Sequence, residues 1–316
     1  MDPMKAGMAA AATAAALAFG AANAASEPGA TASESVLTMR VDGELTVGPG
    51  GQVADFQIRT KLDPQVEKLL RRVVPSWRFK PILVDGTPVL AKSPMRITLA
   101  AVEMAEGYQV KVDNVVFWPN TPEEHAAEEA SRKAHPGLSV AGEAPEPLVW
   151  ISSKSLKPPR YPSGLERSGV EGIVLLNLRL KPDGSVAEVF AAQSSLLNVR
   201  GGSGLLERAR LMLERNASDA AKAWTFKVTA ENPAALSPED LTVRMPVEYM
   251  LGTPGKQPDG LVGKWRHEFR GPNLSAPWLP DENAAKIGVS DLNGNEILAG
   301  ASPFELSDTS VIGKVL

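Results

Sequence analysis

The feature that most limits how this chain can fold is an internal repeat: a glycine turn, a helix and a Trp-x-Phe-Lys segment. The first copy runs from Gly50-Gly51 to residues 77–80, and the second from Asp183-Gly184 to residues 224–227. Glycine allows the positive φ that a tight turn between two strands requires, and side chains at i and i+2 point to the same side of an extended segment. Each copy is therefore predicted to be a strand hairpin, a helix and an aromatic pair that closes the core between them.

The first copy, residues 36–102, has the pattern β-β-α-β. Strand-like runs at residues 36–41 and 53–58 flank the glycine turn. Asp63 is a typical helix N-cap residue and Pro64 suits the first helical position, so a helix is predicted to begin there. After the Trp-x-Phe segment, residues 95–99 are predicted to form the closing strand.

The second copy, residues 150–252, repeats this order. Val174, Leu176 and Leu178 alternate along the strand before the turn, a helix follows the turn, and residues 241–249 form the last predicted strand. The predicted fold class is therefore α+β, with two small β-β-α-β units, each an antiparallel three-strand sheet covered by a helix.

Two segments outside the copies have weaker patterns. Residues 103–149 are predicted to be a linker that contains a strand and a polar helix beginning at Thr121. Residues 253–316 form a Pro- and Gly-rich C-terminal tail that we expect to wrap around the second copy.

The N-terminus has the features of an export signal. Lys5 precedes an Ala-rich apolar run at residues 6–19, and Ala22-Asn23-Ala24 is a small-x-small cleavage site. Residues 1–24 are therefore predicted to be a signal peptide, followed by a flexible tether at residues 25–35. The alternative is an uncleaved inner-membrane anchor, because residues 6–25 are about long enough to span a bilayer.

We expect the signal to be cleaved after Ala24, because a run made mostly of alanine methyl groups has little transfer energy to hold it in a membrane. Mass spectrometry of the exported protein should find Ala25 as the first residue. An intact Met1 in the membrane fraction would contradict this prediction and support the anchored alternative.

Composition excludes several classes of function. The chain has no cysteine, so it has no disulfide, no thiol nucleophile, no thiolate metal site and no cysteine for a lipid anchor. Its formal net charge is −4, so it lacks the basic excess that nucleic-acid binding requires.

No set of residues suggests catalysis. His125, His135 and His267 lack the spacing of a metal site, and the glycine-rich residues 201–204 lack the Lys-Ser/Thr of a phosphate-binding loop. We therefore predict a protein that is not an enzyme and that uses no cofactor or metal.

The last strand of the second copy is the strongest candidate for a binding site. A three-strand sheet must expose main-chain groups along an edge, and Pro246 within residues 241–249 is tolerated mainly at an edge. An extended peptide could add to this strand by β-augmentation. The residues predicted to bind the partner are Leu241, Thr242, Val243, Arg244, Met245, Val247 and Tyr249.

Two details of this site are open in the sequence. Only alternate N–H groups of an edge strand face a partner, so proline should block binding in one set, either Thr242 and Arg244 or Val243 and Met245, and unfold the copy in the other. Tyr161, which stands between prolines, is an additional partner-binding candidate: it either packs as a fixed arm or presents its ring to a partner.

The motifs of the second copy resemble the TonB C-terminal domain family. They are Pro159-Arg160-Tyr161-Pro162, Gly169-x-x-Gly172, Asp183-Gly184-Ser185-Val186 and Trp224-Thr225-Phe226, with Val228 where the family has proline. The first copy has Trp77-Arg78-Phe79-Lys80-Pro81 but lacks the Tyr-Pro arm. The resemblance implies that short peptides of outer-membrane receptors dock on the last strand, residues 241–249.

The resemblance implies a periplasmic protein-interaction module that is linked to TonB-dependent outer-membrane transport. Its expected partner is the periplasmic segment of an outer-membrane receptor or of another envelope protein, and a homodimer is a further expectation; no stable membrane span is expected. The alternatives are an active energy transducer that keeps its N-terminal anchor, and a cell-wall-binding or enzymatic protein. The apolar N-terminal run lacks the histidine of the family's transducers and ends in a cleavage site, which favours the interaction module.

Overall fold

The structure is a computed structural model, and the predicted signal peptide, most of the tether and the helix predicted from Thr121 lie outside the residues it describes. It describes residues 33–84, 86–105, 107–118, 149–252, 262–279, 287–294, 296–299, 302 and 304–316.

Three α-helices and three short 3-10 turns occur in the described part of the chain. In α1, the Asp63 carboxylate accepts a hydrogen bond from the Gln65 N–H at 2.8 Å and Pro64 holds the first helical position, so the predicted cap is confirmed. The helices are α1 Pro64–Val73, α2 Ser163–Arg167 and α3 Ser203–Ala221. The 3-10 turns are Val74–Ser76, Pro233–Ala235 and Thr309–Val311.

Thirteen strands are described. They are β1 Glu34–Val47, β2 Val53–Ile58, β3 Leu83–Val84, β4 Thr87–Pro88, β5 Ala91–Met104, β6 Gly107–Phe117, β7 Trp150–Ser155, β8 Glu171–Leu180, β9 Val186–Leu197, β10 Thr225–Thr229, β11 Thr242–Tyr249, β12 Arg266–Arg270 and β13 Leu298–Ala299.

Nine of these strands form one antiparallel sheet, which confirms the α+β class. The strand order is β13-β11-β8-β9-β12-β1-β5-β6, and β2 pairs with the second half of β1. Strands of both predicted copies therefore lie in the same sheet. β5 and β6 also run past the predicted end of the first copy at residue 102, since β6 pairs along β5 from Met95 to Met104.

The two glycine turns have the same local geometry. Gly51 and Gly184 have φ of 77° and 82°, the left-handed region that glycine tolerates. The N–H of Phe79 donates to the Gly51 carbonyl at 2.7 Å, and that of Phe226 donates to the Gly184 carbonyl at 2.8 Å. A Cβ on Gly51 or Gly184 would lie only 2.1 Å or 1.9 Å from the phenylalanine carbonyl oxygen, far closer than van der Waals contact allows. Each Trp-x-Phe segment thus crosses directly over its turn.

One face of the sheet carries two apolar cores beneath the helices. Trp77 and Phe79 are buried with β1, β5 and α1, and Trp224 and Phe226 are buried with β8, β11 and α3. The prediction that both Trp-x-Phe pairs are core residues is confirmed. Leu70 and Val74 beside the first pair are fully buried.

Strand β12, from the C-terminal tail, joins the two halves of the sheet. It pairs with the first half of β1 on one side and with the end of β9 on the other, antiparallel to both. Since β1 and β9 both run antiparallel to β12, they are parallel to each other, and β12 lies between them.

The opposite face of the sheet is covered by residues 287–294 and by Glu296, which together we call the cross-face segment. Asp291 accepts hydrogen bonds from Thr98 and from Asn114, the latter at 2.6 Å, and Glu296 pairs with Arg96 at 2.6 Å. The N–H of Val289 donates to Gln193 on β9 at 2.8 Å. The segment therefore contacts strands of both predicted copies.

Candidate functional site

Strand β11 was predicted to be a sheet edge, but it has a paired strand on each side. The pairing is much longer on one side than on the other. β8 pairs with it along its whole length, from Thr242 to Tyr249. On the other side β13 pairs only with Val243 and Arg244. The strand is therefore partly covered near its start, and its second half lies beyond β13.

The direction of each main-chain group in β11 follows from its pairing. Leu241 accepts from the Leu180 N–H through its carbonyl, and the ladder to β8 has no register shift, so odd-numbered residues turn their N–H and C=O towards β8. Thr242, Arg244, Pro246 and Glu248 therefore turn theirs outward. Pro246 falls in the outward set, where its missing N–H costs no bond in the ladder.

The outward side of residues 246–249 is what we call the open edge. Within the described residues, no strand pairs with this side of β11 beyond Arg244. It presents the Pro246 carbonyl and both the N–H and carbonyl of Glu248, which are the groups that an added strand uses.

The side chains of the predicted binding residues face the interior. Arg244 is half-buried, and burial lowers its pKa. The others are buried: Leu241, Thr242, Val243, Met245, Val247 and Tyr249. If these residues bind a partner, main-chain groups have to provide most of the contact, and this part of the site remains a prediction.

Tyr161 packs on the helix side of β11. Its ring meets that of Tyr249 edge-on, with centroids 5.3 Å apart and planes at 82°, and its hydroxyl donates to the Val170 carbonyl. Burial, with smaller effects of Glu171 and Glu166, raises the pKa of Tyr161 to about 12. The ring is therefore packed against β11, and a role of half-buried Tyr161 in partner binding stays a prediction.

The equivalent strand of the first predicted copy has no comparable opening. β5 pairs with β1 on one side and with β6 on the other. The outer side of β6 is in turn met by the C-terminal residues, where the Leu316 N–H donates to the Val110 carbonyl at 2.9 Å. An added strand therefore has more room at β11 than at β5.

Glu248 is a residue of this site that sequence reasoning missed. It is half-buried, and the described part of the chain gives its carboxylate neither a hydrogen bond nor an ion pair. A Cβ on Gly294 would lie 2.6 Å from its Oε2, so the carboxylate rests against the backbone of the cross-face segment. A charged residue in a strand usually faces water, so the sequence held no signal for this position.

The described residues offer neither a metal site nor a helix that could span a membrane. No group of three or more His, Asp or Glu residues in the described ranges could hold a metal ion. His267 lies on β12 with one ring nitrogen 3.0 Å from the Ser35 hydroxyl, whereas His125 and His135 lie outside the described residues. None of the described helices is both long and apolar enough to cross a membrane.

Comparison with known proteins identifies one region of similarity. Two curated proteins named Protein TonB, from two strains of Xanthomonas campestris pv. campestris, are each 35% identical to the chain over 103 residues. The match covers 33% of this chain and 39% of each relative, so the chain spans less than two-fifths of their length. No family model matches the chain, and no solved structure matches it. The chain therefore contains a TonB-like region.

Proposed function

We propose that this protein is an envelope interaction module that binds an extended segment of another protein as an added strand on the open edge of β11. The observation that carries the proposal is the outward side of residues 246–249, where the Glu248 N–H and carbonyl have no strand partner in the described ranges. Main-chain hydrogen bonds would supply affinity there, and alternate side chains would supply selectivity.

The similarity to TonB supports an envelope location and a link to TonB-dependent transport. The proposed partner is the periplasmic segment of an outer-membrane receptor or of another envelope protein. The proposal places the mature chain in the periplasm and gives it no catalytic activity. An energy transducer with an uncleaved anchor, and a cell-wall-binding or enzymatic protein, remain the alternatives.

We also infer that the chain contains two divergent copies of one β-β-α-β unit. In each, the third strand pairs with the first: β5 with β1, and β11 with β8. The matching turns at Gly51 and Gly184, each crossed by a Trp-x-Phe segment, support the same conclusion.

A pair of proline substitutions tests the proposed function. Glu248→Pro removes the outward N–H of the open edge, so we expect it to abolish binding of peptides from periplasmic segments of outer-membrane receptors while the fold persists. Val247→Pro is the matched control: it removes an N–H directed to β8 and should unfold the second copy. Binding is measured by calorimetric titration, and folding by circular dichroism melting.

Two outcomes would contradict the proposal. One is that none of these extended peptides binds the mature wild-type protein. The other is that Glu248→Pro binds them as tightly as the wild type does, which would place any binding site elsewhere.

A further inference from the structure

The two third strands can be aligned residue by residue. Aligning the two copies in sequence on Gly51 and Gly184 matches Val41 of β1 with Val174 of β8. Their neighbours on the third strands are Ile97 and Val247. The three consecutive residues Ile97, Thr98 and Leu99 of β5 thus correspond to Val247, Glu248 and Tyr249 of β11.

The first copy shows which side chains lie across these positions when a strand is present. β6 places Val115 across Ile97 and Asn114 across Thr98, and after a bulge at Asp113 it places Val112 across Leu99. Val112 and Val115 are buried in the core on the helix side. Thr98 and Asn114 both turn to the opposite face, where both donate to Asp291. Apolar residues therefore meet apolar residues, and a polar residue meets a polar one.

In the second copy the same three positions adjoin the open edge. Val247 and Tyr249 are 7% and 2% exposed and belong to the core on the helix side. Between them, Glu248 projects to the opposite face and has no direct partner in the described ranges. A half-buried carboxylate that makes no hydrogen bond or ion pair is stabilised by a cation that comes within contact distance.

Arg40, the buried cation near Glu248, already donates its hydrogen bonds to other groups. The Arg40 guanidinium donates to the carbonyls of Ser290 and Val289 and to the side chain of Asn293, all in the cross-face segment. It therefore does not form an ion pair with Glu248. Arg40 is close enough for Glu248 to act on its pKa, but a cation in direct contact with Glu248 can come from a strand laid along the open edge.

We propose that the segment bound at the open edge carries a Lys or Arg flanked on both sides by a β-branched aliphatic residue. The basic side chain would lie across Glu248, and the two aliphatic side chains across Val247 and Tyr249. This pattern reads the same in both directions, so it holds for a parallel or an antiparallel added strand. The inference rests on the proposed function and names the ligand class of that site.

The test uses three synthetic peptides with identical Gly-Ser flanks and the central sequences Val-Lys-Val, Val-Glu-Val and Ala-Lys-Ala. We expect the mature wild-type protein to bind Val-Lys-Val at least about tenfold more tightly than either of the others, a difference of about 1.4 kcal/mol. Titration calorimetry at low salt provides the dissociation constants, because salt screens a partly exposed ion pair.

Charge reversal provides the matched protein variants. Glu248→Lys should bind Val-Glu-Val more tightly than Val-Lys-Val, and neutral Glu248→Gln should lose most of the preference between them. The exposed Glu231 lies outside the strand, so Glu231→Lys makes the same change of net charge and should leave the wild-type order unchanged. Melting curves of all three variants establish that each is folded.

The possible outcomes distinguish a failure of this inference from a failure of the proposed function. If receptor peptides bind and Glu248→Pro abolishes that binding, but Val-Lys-Val and Val-Glu-Val bind the wild type equally, the ligand pattern is wrong and the proposed function stands. If Glu231→Lys changes the order as Glu248→Lys does, the preference reflects net charge and the inference is also wrong. If no extended peptide binds, the proposed function fails together with the inference.

Discussion

Trp224→Ala is expected to lower the free energy of unfolding of the protein by about 3–5 kcal/mol, because it empties a large volume in a closed core. Trp224 is 3% exposed, lies in the core beneath α3, and donates from its indole N–H to the Lys157 carbonyl at 2.8 Å. The substitution removes the ring and also leaves that carbonyl without its partner. Urea unfolding followed by circular dichroism measures the change.

Trp265 and Trp77 are the matched controls. Trp265 is 39% exposed, so Trp265→Ala should change stability by less than about 1 kcal/mol. Trp77 is as buried as Trp224, but among the described residues its indole nitrogen has no hydrogen-bond partner. Trp→Phe should therefore lower the free energy of unfolding less at position 77 than at position 224. Equal stability of Trp224→Ala and wild type would show that this ring is not part of the core.

Glu268→Gln is expected to lower the free energy of unfolding by about 3–5 kcal/mol, because it removes one negative charge from a buried cluster of charges. Glu268 is fully buried on β12, where its carboxylate accepts from the Thr38 hydroxyl at 2.6 Å, from Arg266 Nε at 2.9 Å and from the Ser290 hydroxyl at 2.8 Å. Without its charge, buried Arg266 loses its only ion pair among the described residues. Urea unfolding again measures the loss.

Glu305→Gln is the control for this second prediction. Glu305 pairs with Lys80 at the surface, where both side chains are more than half exposed, so the change should cost less than about 1 kcal/mol. A cost for Glu268→Gln as small as that for Glu305→Gln would show that the buried cluster contributes little to stability.

The Glu268 carboxylate also makes the stability of the protein depend on pH. Burial by itself would raise the pKa of Glu268, but Arg266, the Thr38 hydroxyl and Arg270 outweigh it and lower the pKa to about 2. An unfolded glutamate titrates near 4.3, so this stabilisation is complete above that pH and is lost as the pH falls from about 4 to 2. The stability difference between wild type and Glu268→Gln should therefore shrink over that window. Taking the difference removes the opposite effect of Asp291, whose pKa is raised by burial.

The parts of the fold that short-range rules govern were predictable from the sequence. The Asp63 cap, the left-handed glycines at 51 and 184 and the burial of both Trp-x-Phe pairs all depend on residues close together in the chain. Steric limits on φ, the unsatisfied N–H groups at a helix start and the large area of an indole act in the same way wherever the segment lies.

The hairpins of β1 with β2 and of β8 with β9 were predicted from the glycine turns, whereas the pairing of distant strands was decided only by the tertiary structure. The sequence predicted three-strand units with an edge at residues 241–249, whereas one sheet contains β12 between β9 and β1, β6 beside β5, and β13 beside the start of β11. Ladder hydrogen bonds join main-chain groups that every residue carries, so the side chains of a strand do not identify which distant strand will pair with it.

The charged strand β12 shows the same limit most clearly. Arg266, Glu268 and Arg270 alternate along it in the way that a solvated strand face does, yet all three are at most 6% exposed. The sequence by itself determined only that these charges alternate within a predicted Pro- and Gly-rich tail. Only the tertiary structure, which brings Thr38, Asp113 and the cross-face segment onto that face, decided that they are buried, because a charge leaves water only where partners from elsewhere in the chain replace its hydration.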